Sequence, residues 1–417
     1  MTEVRPLEAL HYDLNAVGSL EAVTAPPYDV IDAAQRRELL TRSPFNVVEI
    51  DLPEAPGGAD PYEHAGETLE AWTLQGILAA DRESAIWPLT QEFNGPDGRG
   101  LTRRGFLCRV RLAPYGPGAV RPHERTQPGP KEDRLRLTRA TRHNLSPIFA
   151  LHPGDAWSQI EPALGERPWG EATDGNGTVN RVWRLPDPGL HEAVAAELAD
   201  RELLIADGHH RYETALAYAR EIGGEGPHRF TLMCLVSIDD PGLAVFPTHR
   251  LLHGLERPQQ EILANVLREH FEIDEVPDEA IDPAGEPGTG VFGYIDAHFG
   301  RGFRLRLRDE NALAEALPDK PETYRRLDAV ILEELVLKRG LGMNADDIAA
   351  KRGIDYLSDA AATVAAIEAG DRDCAFLLRP MPIEQVREVA AAGETMPPKS
   401  TYFFPKLLTG IVFNPLS

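Results

Sequence analysis

The chain has 417 residues, with 43 Lys and Arg against 66 Asp and Glu, a formal charge of −23. Its length suits two domains, and its charge balance argues against coating DNA or RNA, which needs clustered basic residues, so no nucleic-acid partner is expected. Cys108, Cys234 and Cys374 stand alone without CxxC spacing, so neither a disulfide framework nor a zinc ribbon is expected, and a reducing cytoplasm fits.

The opening residues include Glu3, Arg5 and Glu8 and lack the uninterrupted apolar run of a signal peptide. No stretch approaches a membrane span, so no membrane partner is expected. In residues 24–32, Pro26 and Pro27 fix an extended backbone and Asp32 can cap a helix over 33–41. Tyr28 and Asp29 are then held rigidly as candidate substrate contacts, with a structural proline turn as the plain alternative. Residues 45–52 alternate after Val48 and predict a strand with Glu49 and Asp51 on one face, read as the wet side of a sheet in preference to a carboxylate pair that binds metal or acts as a base. Residues 62–75 predict an amphipathic helix with Leu69 and Trp72 at core spacing. Residues 85–89 and 104–112, joined by a turn-rich stretch at 94–98, predict a hairpin.

His123, Glu124, Arg125 and Thr126 bring four chemistries into a loop bounded by Pro and Gly, and Lys131 and Arg134 add positive charge to an acidic chain. That local reversal is what a polyphosphate site requires, with Thr126 as a phosphate or metal ligand and Glu124 as a base; the rival is a solvated, salt-bridged loop. A helix over 131–143 and a loop entering a buried strand before 151 follow. Strands around a hairpin that includes 179–185, and a helix over 191–203, lead to the densest chemistry in the chain.

There Leu204, Ile205 and Ala206 can end a buried strand, Asp207-Gly208 marks a turn, and 212–219 has helical composition. The first amides of a helix are unpaired and its dipole favours negative charge, so an anion is the natural guest. Gly208 allows close backbone approach, Arg211 offers a planar fork for two phosphate oxygens, and His209 and His210 supply donors or a base. The plain alternative makes Asp207 an N-cap and the histidines space-fillers.

Beyond it, 230–237 predicts a central strand, and Thr248, His249 and Arg250 place polar groups at a strand end, where His249 alone reads as a satisfied, partly buried histidine. Helices are predicted over 259–270, 323–338, 346–352 and 360–369, with strands near 290–295, 301–308 and 373–378. The alternation of Arg with Phe or Leu over 301–308 reads as the wet face of an antiparallel strand. Residues 396–410 gather Lys399, Lys406, two hydroxyls and three aromatics, a combination that can hold phosphate and flank a base, or simply dock for stability.

Taken in order, residues 25–31, 123–126 with 130–134, 144–149, 207–216, 248–250 and 398–410 resemble the bacterial and archaeal family called domain of unknown function 1015, nearly end to end. The Asp207-Gly208-His209-His210-Arg211 core also resembles the phosphate-binding box of the ParB/sulfiredoxin superfamily, which includes DNA partition proteins, a sulfinic-acid reductase and free serine kinases. Sulfiredoxins carry a reactive Cys where His209 and His210 stand, and no basic helix-turn-helix is evident, so neither of those two activities is expected.

These resemblances imply an α/β (α+β) fold. Residues 1–225 would form a mixed-sheet ParB/sulfiredoxin-like domain with inserted strands, and 226–417 a second α+β domain whose segment 396–410 is a candidate to return to the site. They imply a cytoplasmic, nucleotide-dependent phosphotransferase acting on a small hydroxyl-bearing metabolite, with free serine as the named acceptor, ATP or ADP as nucleotide and Mg²⁺ as cofactor. The expected catalytic groups are Asp207, His209, His210 and Glu124. Gly208, Arg211, Thr126, Lys399 and Lys406 are expected at the nucleotide, Tyr28, Asp29, His123, His249 and Arg250 at the substrate, and Asp207 and Glu124 at the metal. Two other readings stay open: a nucleotide-sensing regulator without turnover, and a metal-dependent hydrolase using His123, Glu124, His209, His210 and His249.

Overall fold

The apolar run Phe230–Ser237 is buried along almost its whole length, which requires neighbours on both edges and cover on both faces. It has them: it pairs in parallel with Ile148–His152 and antiparallel with Gly100–Arg111. The computed structural model in which these pairings occur describes residues 2–124, 128–397 and 399–417, and the side chains among them except at 56, 128–130 and 349. The chain forms two compact units. The first gathers the described residues of 1–122, 126–244 and 405–417, the second those of 123–125 and 245–404.

The first unit is built on a nine-stranded mixed sheet. Its order runs Val120–Arg121, Leu203–Asp207, Ile148–His152, Phe230–Ser237, Gly100–Arg111, Trp87–Asn94, Val179–Val182, Gly170–Thr173, with Val4–Arg5 paired to Gly100–Arg111. Trp87–Asn94 and Gly100–Arg111 form the hairpin expected from the turn residues between them. Phe106, Cys108, Ile148, Ile205, Met233 and Leu235 fill one core with the helix residues Leu190, Val194 and Tyr212. On this unit Pro61–Leu74 packs on Pro128–Thr141, which packs on His209–Ile222. Gly66 permits the first of these contacts, because a Cβ there would sit 2.8 Å from the Ala140 carbonyl oxygen.

Residues 45–52 do not form the expected strand; Val48–Asp51 is a helical turn. Asn46 causes the change: its Nδ2 donates to the Ala22 and Thr24 carbonyls at 2.9 Å each, and its Oδ1 accepts from the Val48 amide at 3.1 Å. Val47, Val48 and Ile50 are all fully buried, a spacing one face of a strand cannot supply. Asp51 is thereby turned inward, while Glu49 pairs with Arg36 and His64.

The second unit holds a six-stranded antiparallel sheet in the order Phe271–Val276, Arg301–Leu307, Val291–Asp296, Cys374–Leu377, His249–Leu252, Ile354–Leu357. Arg301 and Arg306 do point to solvent and pair with Glu275 and Asp274. Arg304 departs from the wet-face reading: it is 3% exposed, and its guanidinium donates to the carbonyls of Ala280, Ile281 and Asp282. The helix expected over 323–338 is broken into Glu322–Arg325, Asp328–Ile331 and the wider π-type turns of Leu332–Gly340. The fold is mixed α/β, with one large mixed sheet and further smaller sheets. No described helix is long and apolar enough to cross a membrane.

Candidate functional site

The strand Leu203–Asp207 runs directly into the helix His209–Ile222, with Gly208 as the N-cap at φ 94°, ψ 29°. This left-handed conformation favours glycine. Space demands it too, since a Cβ at 208 would lie 3.0 Å from Nε and 3.1 Å from Cζ of Arg211. The Arg211 guanidinium therefore folds back over the glycine. Gly208, not Asp207, stands at the N-cap position, and among the described residues no side chain caps the helix.

Asp207 is the centre of an ion-paired group instead. Arg211 Nη2 donates to its Oδ2 at 2.8 Å, and Lys406 Nζ donates to its Oδ1 at 3.2 Å. Arg211 Nη1 also donates to the Pro147 carbonyl. Burial pushes the Asp207 carboxyl up, but the charges of Lys406, Arg211 and His209 and the Lys406 hydrogen bond hold it well below the usual carboxylate range. Two cations on one ionised carboxylate leave a single excess positive charge at the start of a helix.

Lys406 is brought there by a buried polar network. Arg103 donates through Nη2 to the Pro405 carbonyl at 2.5 Å and through Nε to Gln91 Oε1 at 3.0 Å. Gln91 Nε2 donates to Asn180 Oδ1 at 2.8 Å and to the Lys406 carbonyl at 3.2 Å. Gln91, Arg103 and Asn180 are each at most 1% exposed. The same segment is pinned further along by the backbone pairs of Ala25 with Thr409 and Leu10 with Phe413, and by Asn414–Pro415 against His143–Asn144.

Beside this group lies a narrow cleft whose polar walls include Tyr28, Asp51, Arg134, Ser146, Arg211 and Thr214. Arg134 donates through Nη1 to the Asp51 carbonyl at 2.8 Å and to its Oδ1 at 3.2 Å, through Nε to Asp133 at 2.6 Å, and lies 4.3 Å from the centre of the Tyr28 ring. Burial alone would lower the Arg134 pKa, but Asp51 and Asp133 outweigh it and keep the group charged. Burial pushes the Tyr28 phenol up to about 12 against Arg211 and Arg134, so it stays neutral and able to donate. Asp51 is raised from the ordinary carboxylate value by burial, against the pull of Arg134 and Arg211. The Ser146 hydroxyl meets that of Thr409 at 3.0 Å, so the 405–417 segment also backs the cleft wall.

The first unit thus brings together Asp207, Gly208, Arg211 and Lys406, and places Tyr28 in the adjoining cleft with Arg211. Asp29, next to Tyr28, is exposed. His209 is buried and His210 half-buried on the first helical turn, both engaged with other groups. His123, Glu124, His249, Arg250 and Lys399 belong to the second unit. His123 is 1% exposed and its Nε2 meets the Thr401 hydroxyl at 2.7 Å. Glu124 bridges to Met396. His249 is fully buried and its Nδ1 accepts from the Leu378 amide at 3.1 Å. Lys399 is exposed, and Arg125 and Thr126 lie outside the described residues.

Both oxygens of Asp207 face cations, and among the described residues no group of three or more His, Cys, Asp or Glu side chains is placed to hold a metal ion. Asp51, read from the sequence as a solvent-facing strand carboxylate, is buried in the cleft wall instead, and the Gln91–Arg103–Asn180 network escapes sequence reasoning. The one signal for the network is a set of polar side chains at inward positions of strands, where apolar ones belong.

A family model described as a protein of unknown function, DUF1015, matches residues 4–330. The chain belongs to this family. No curated protein matches the DUF1015 chain. Among solved structures, it is similar to a conserved hypothetical protein from Pyrococcus furiosus at 17% identity and TM-score 0.35, covering 68% of this chain and 86% of that one. It is also similar to a free serine kinase in complex with AMP, at 15% identity and TM-score 0.35 over 70% and 88% of the two chains. A third similar structure is C-terminally truncated SbnI from Staphylococcus aureus, at 11% identity and TM-score 0.36 over 70% and 82%. At these scores the likenesses carry no argument about what the DUF1015 chain binds or does.

Proposed function

We propose that this DUF1015 protein is a nucleotide-dependent phosphotransferase acting on a small hydroxyl-bearing metabolite, with free serine as the acceptor to try first and ATP or ADP as the donor. One observation carries the reading: Lys406 and Arg211 converge on Asp207 at a helix start, beside a polar cleft. The excess positive charge and the helix dipole both favour an anion. Phosphoryl transfer asks mainly for positioning and charge neutralisation, which a guanidinium and an ammonium held by one carboxylate supply. Asp207 is then the group that orients the two cations, and an incoming phosphate competes with it for their donors.

Within the cleft, the neutral Tyr28 phenol and the Ser146 hydroxyl are the groups that orient an acceptor hydroxyl. Asp51, made more basic by burial, takes its proton. Serine as acceptor rests on the superfamily resemblance of the junction, which is analogy. Mg²⁺ enters this reading only as the counter-ion that a nucleotide carries on its own phosphates.

The test is incubation of the full chain with ATP or ADP, Mg²⁺ and a pool of hydroxylated metabolites including serine, read by ³¹P NMR. A phosphorylated product that Arg211→Ala and Lys406→Met both abolish supports the reading; product formation unaffected by these changes sinks the site. A second reading, a nucleotide sensor without turnover, is favoured by the double engagement of Asp207, which leaves no free base at the junction. Thermal protection by nucleotide with no product across the pool would select it.

A further inference from the structure

A pocket of about 710 Å³ within the second unit is lined by Thr248, Arg250, Glu286, Asp328, Arg379 and Ser400, among others. Most of its charges are accounted for. Arg379 donates to Asp328 Oδ2 through Nε at 2.9 Å and Nη2 at 2.7 Å, and through Nη1 to the Glu286 and Gly288 carbonyls at 2.9 and 2.7 Å. Asp328 also accepts from the Gly290 amide at 2.8 Å. Glu286 is paired with Arg306 at 2.8 Å and Arg304 at 3.7 Å.

Arg250 is the exception. It is 4% exposed, donates to the Thr248 carbonyl and, at 3.1 Å, to the Lys399 carbonyl, and lies 5.4 Å from the centre of the Tyr356 ring. Among the described residues it has no carboxylate at ion-pair distance. A buried guanidinium without a counter-ion is costly. Burial lowers its pKa, with Tyr356, Glu333 and Glu124 acting in the opposite sense. Lys399, whose carbonyl receives one of its bonds, sits at φ 60°, a left-handed conformation that a lysine adopts only when its surroundings hold it there.

Two residues before Arg250, Thr248 is 8% exposed, and its Oγ1 is buried without a hydrogen-bond partner among the described residues. Arg250 and Thr248 line the same pocket, as does Ser400, whose hydroxyl donates to the Pro397 carbonyl at 2.7 Å. We propose that this pocket binds a small oxyanion, the carboxylate or phosphate group of a metabolite, with Arg250 as counter-charge and Thr248 as hydroxyl donor. The bound group would satisfy both at once, and among the described residues no protein group does. The pocket lies wholly in the second unit, so the proposal stands or falls apart from the nucleotide reading.

The experiment is calorimetric titration of the full chain with inorganic phosphate and, separately, with malonate, at constant ionic strength and with chloride as control. Saturable binding of one anion in the millimolar range is expected. Phosphate alone assigns a phosphorylated ligand, and malonate alone a carboxylate. Thr248→Val should weaken binding at least about tenfold, the loss of one hydrogen bond to a charged group. It should also leave the circular dichroism unchanged and raise the Tm in chloride slightly, since it removes an unsatisfied hydroxyl. Arg250→Gln should abolish the binding that Thr248→Val weakens. Absence of binding above the chloride control overturns the proposal, as does binding that survives Thr248→Val and Arg250→Gln at full strength.

Discussion

Lys406 follows Asp207 by 199 residues, yet its Nζ lies 3.2 Å from Asp207 Oδ1, on the carboxylate that Arg211 holds by the other oxygen. The carboxylate is 23% exposed, so the pairing is neither a screened surface bridge nor a fully buried one. Asp207→Asn should therefore destabilise the chain at neutral pH by on the order of 2 kcal/mol, between the values for exposed and buried pairs. The folded carboxyl is held below its unfolded value of about 3.9, so its contribution is present above that pH and fades as pH falls through the lower folded value. Urea melts should show wild type and Asp207→Asn well separated at pH 7 and converging toward pH 2. A constant gap would contradict the ion-pair assignment.

Gly208→Ala tests the backbone that shapes the junction. A φ of 94° disfavours any Cβ by roughly 1–2 kcal/mol, and here the added methyl would also press on the Arg211 guanidinium at 3.0 Å. The expected result is a lower Tm together with loss of nucleotide protection in a thermal-shift titration. Arg211→Ala should lose the protection as well, without the strain. If Gly208→Ala bound nucleotide like wild type, the position of the guanidinium would not matter.

How far the sequence foretells this site depends on the range of the interactions involved. Strand, turn and helix composition over 204–216 is local, so the junction and the role of Gly208 are legible there. The arrival of Lys406 is not, because a contact between residues so far apart leaves no local periodicity; only the odd chemistry of 396–410 hints at it. Asp51 is misplaced for a different reason: over five residues an alternating pattern fits a strand and a helical turn alike, and the bonds of Asn46 to Ala22 and Thr24 decide between them. His123 and Arg304 are chemically polar yet internally bonded, and residue type alone does not reveal burial.

His249 gives the second unit a testable acid response. Burial and the neighbouring Arg250 pull its pKa down to about 4, with Asp359 opposing, so the folded ring stays neutral while the unfolded one protonates near 6.5. Stability from this residue is intact above pH 6.5 and is lost as pH falls toward about 4, by on the order of 3 kcal/mol for the full shift. His249→Gln keeps an acceptor for the Leu378 amide but cannot titrate. Its stability should fall less steeply between pH 6.5 and 4 than that of wild type, measured by urea unfolding. Parallel profiles would show that the ring is protonated at no such cost.

The buried network under Lys406 makes the last prediction. Gln91 uses its amide oxygen for Arg103 and its amide nitrogen for Asn180 and for the Lys406 carbonyl, so together with Arg103, which reaches the Pro405 carbonyl, it ties the strands to the 405–417 segment. Arg103 already has Nη1 without a hydrogen-bond partner among the described residues, relieved in part by the Phe149 ring 4.5 Å from its guanidinium carbon. Burial lowers the Arg103 pKa to about 10, so it remains charged at neutral pH and needs the acceptor that Gln91 provides. Gln91→Leu strands that charge and the Lys406 carbonyl together, and should destabilise by roughly 2–4 kcal/mol. Gln91→Glu keeps the acceptor and adds a counter-charge to Arg103, but it loses the donor to Lys406. Its stability should therefore stay close to that of wild type while nucleotide protection weakens. A variant with wild-type stability and weakened protection would separate the placing of Lys406 from the folding of the sheet, which no simple packing role for Gln91 predicts.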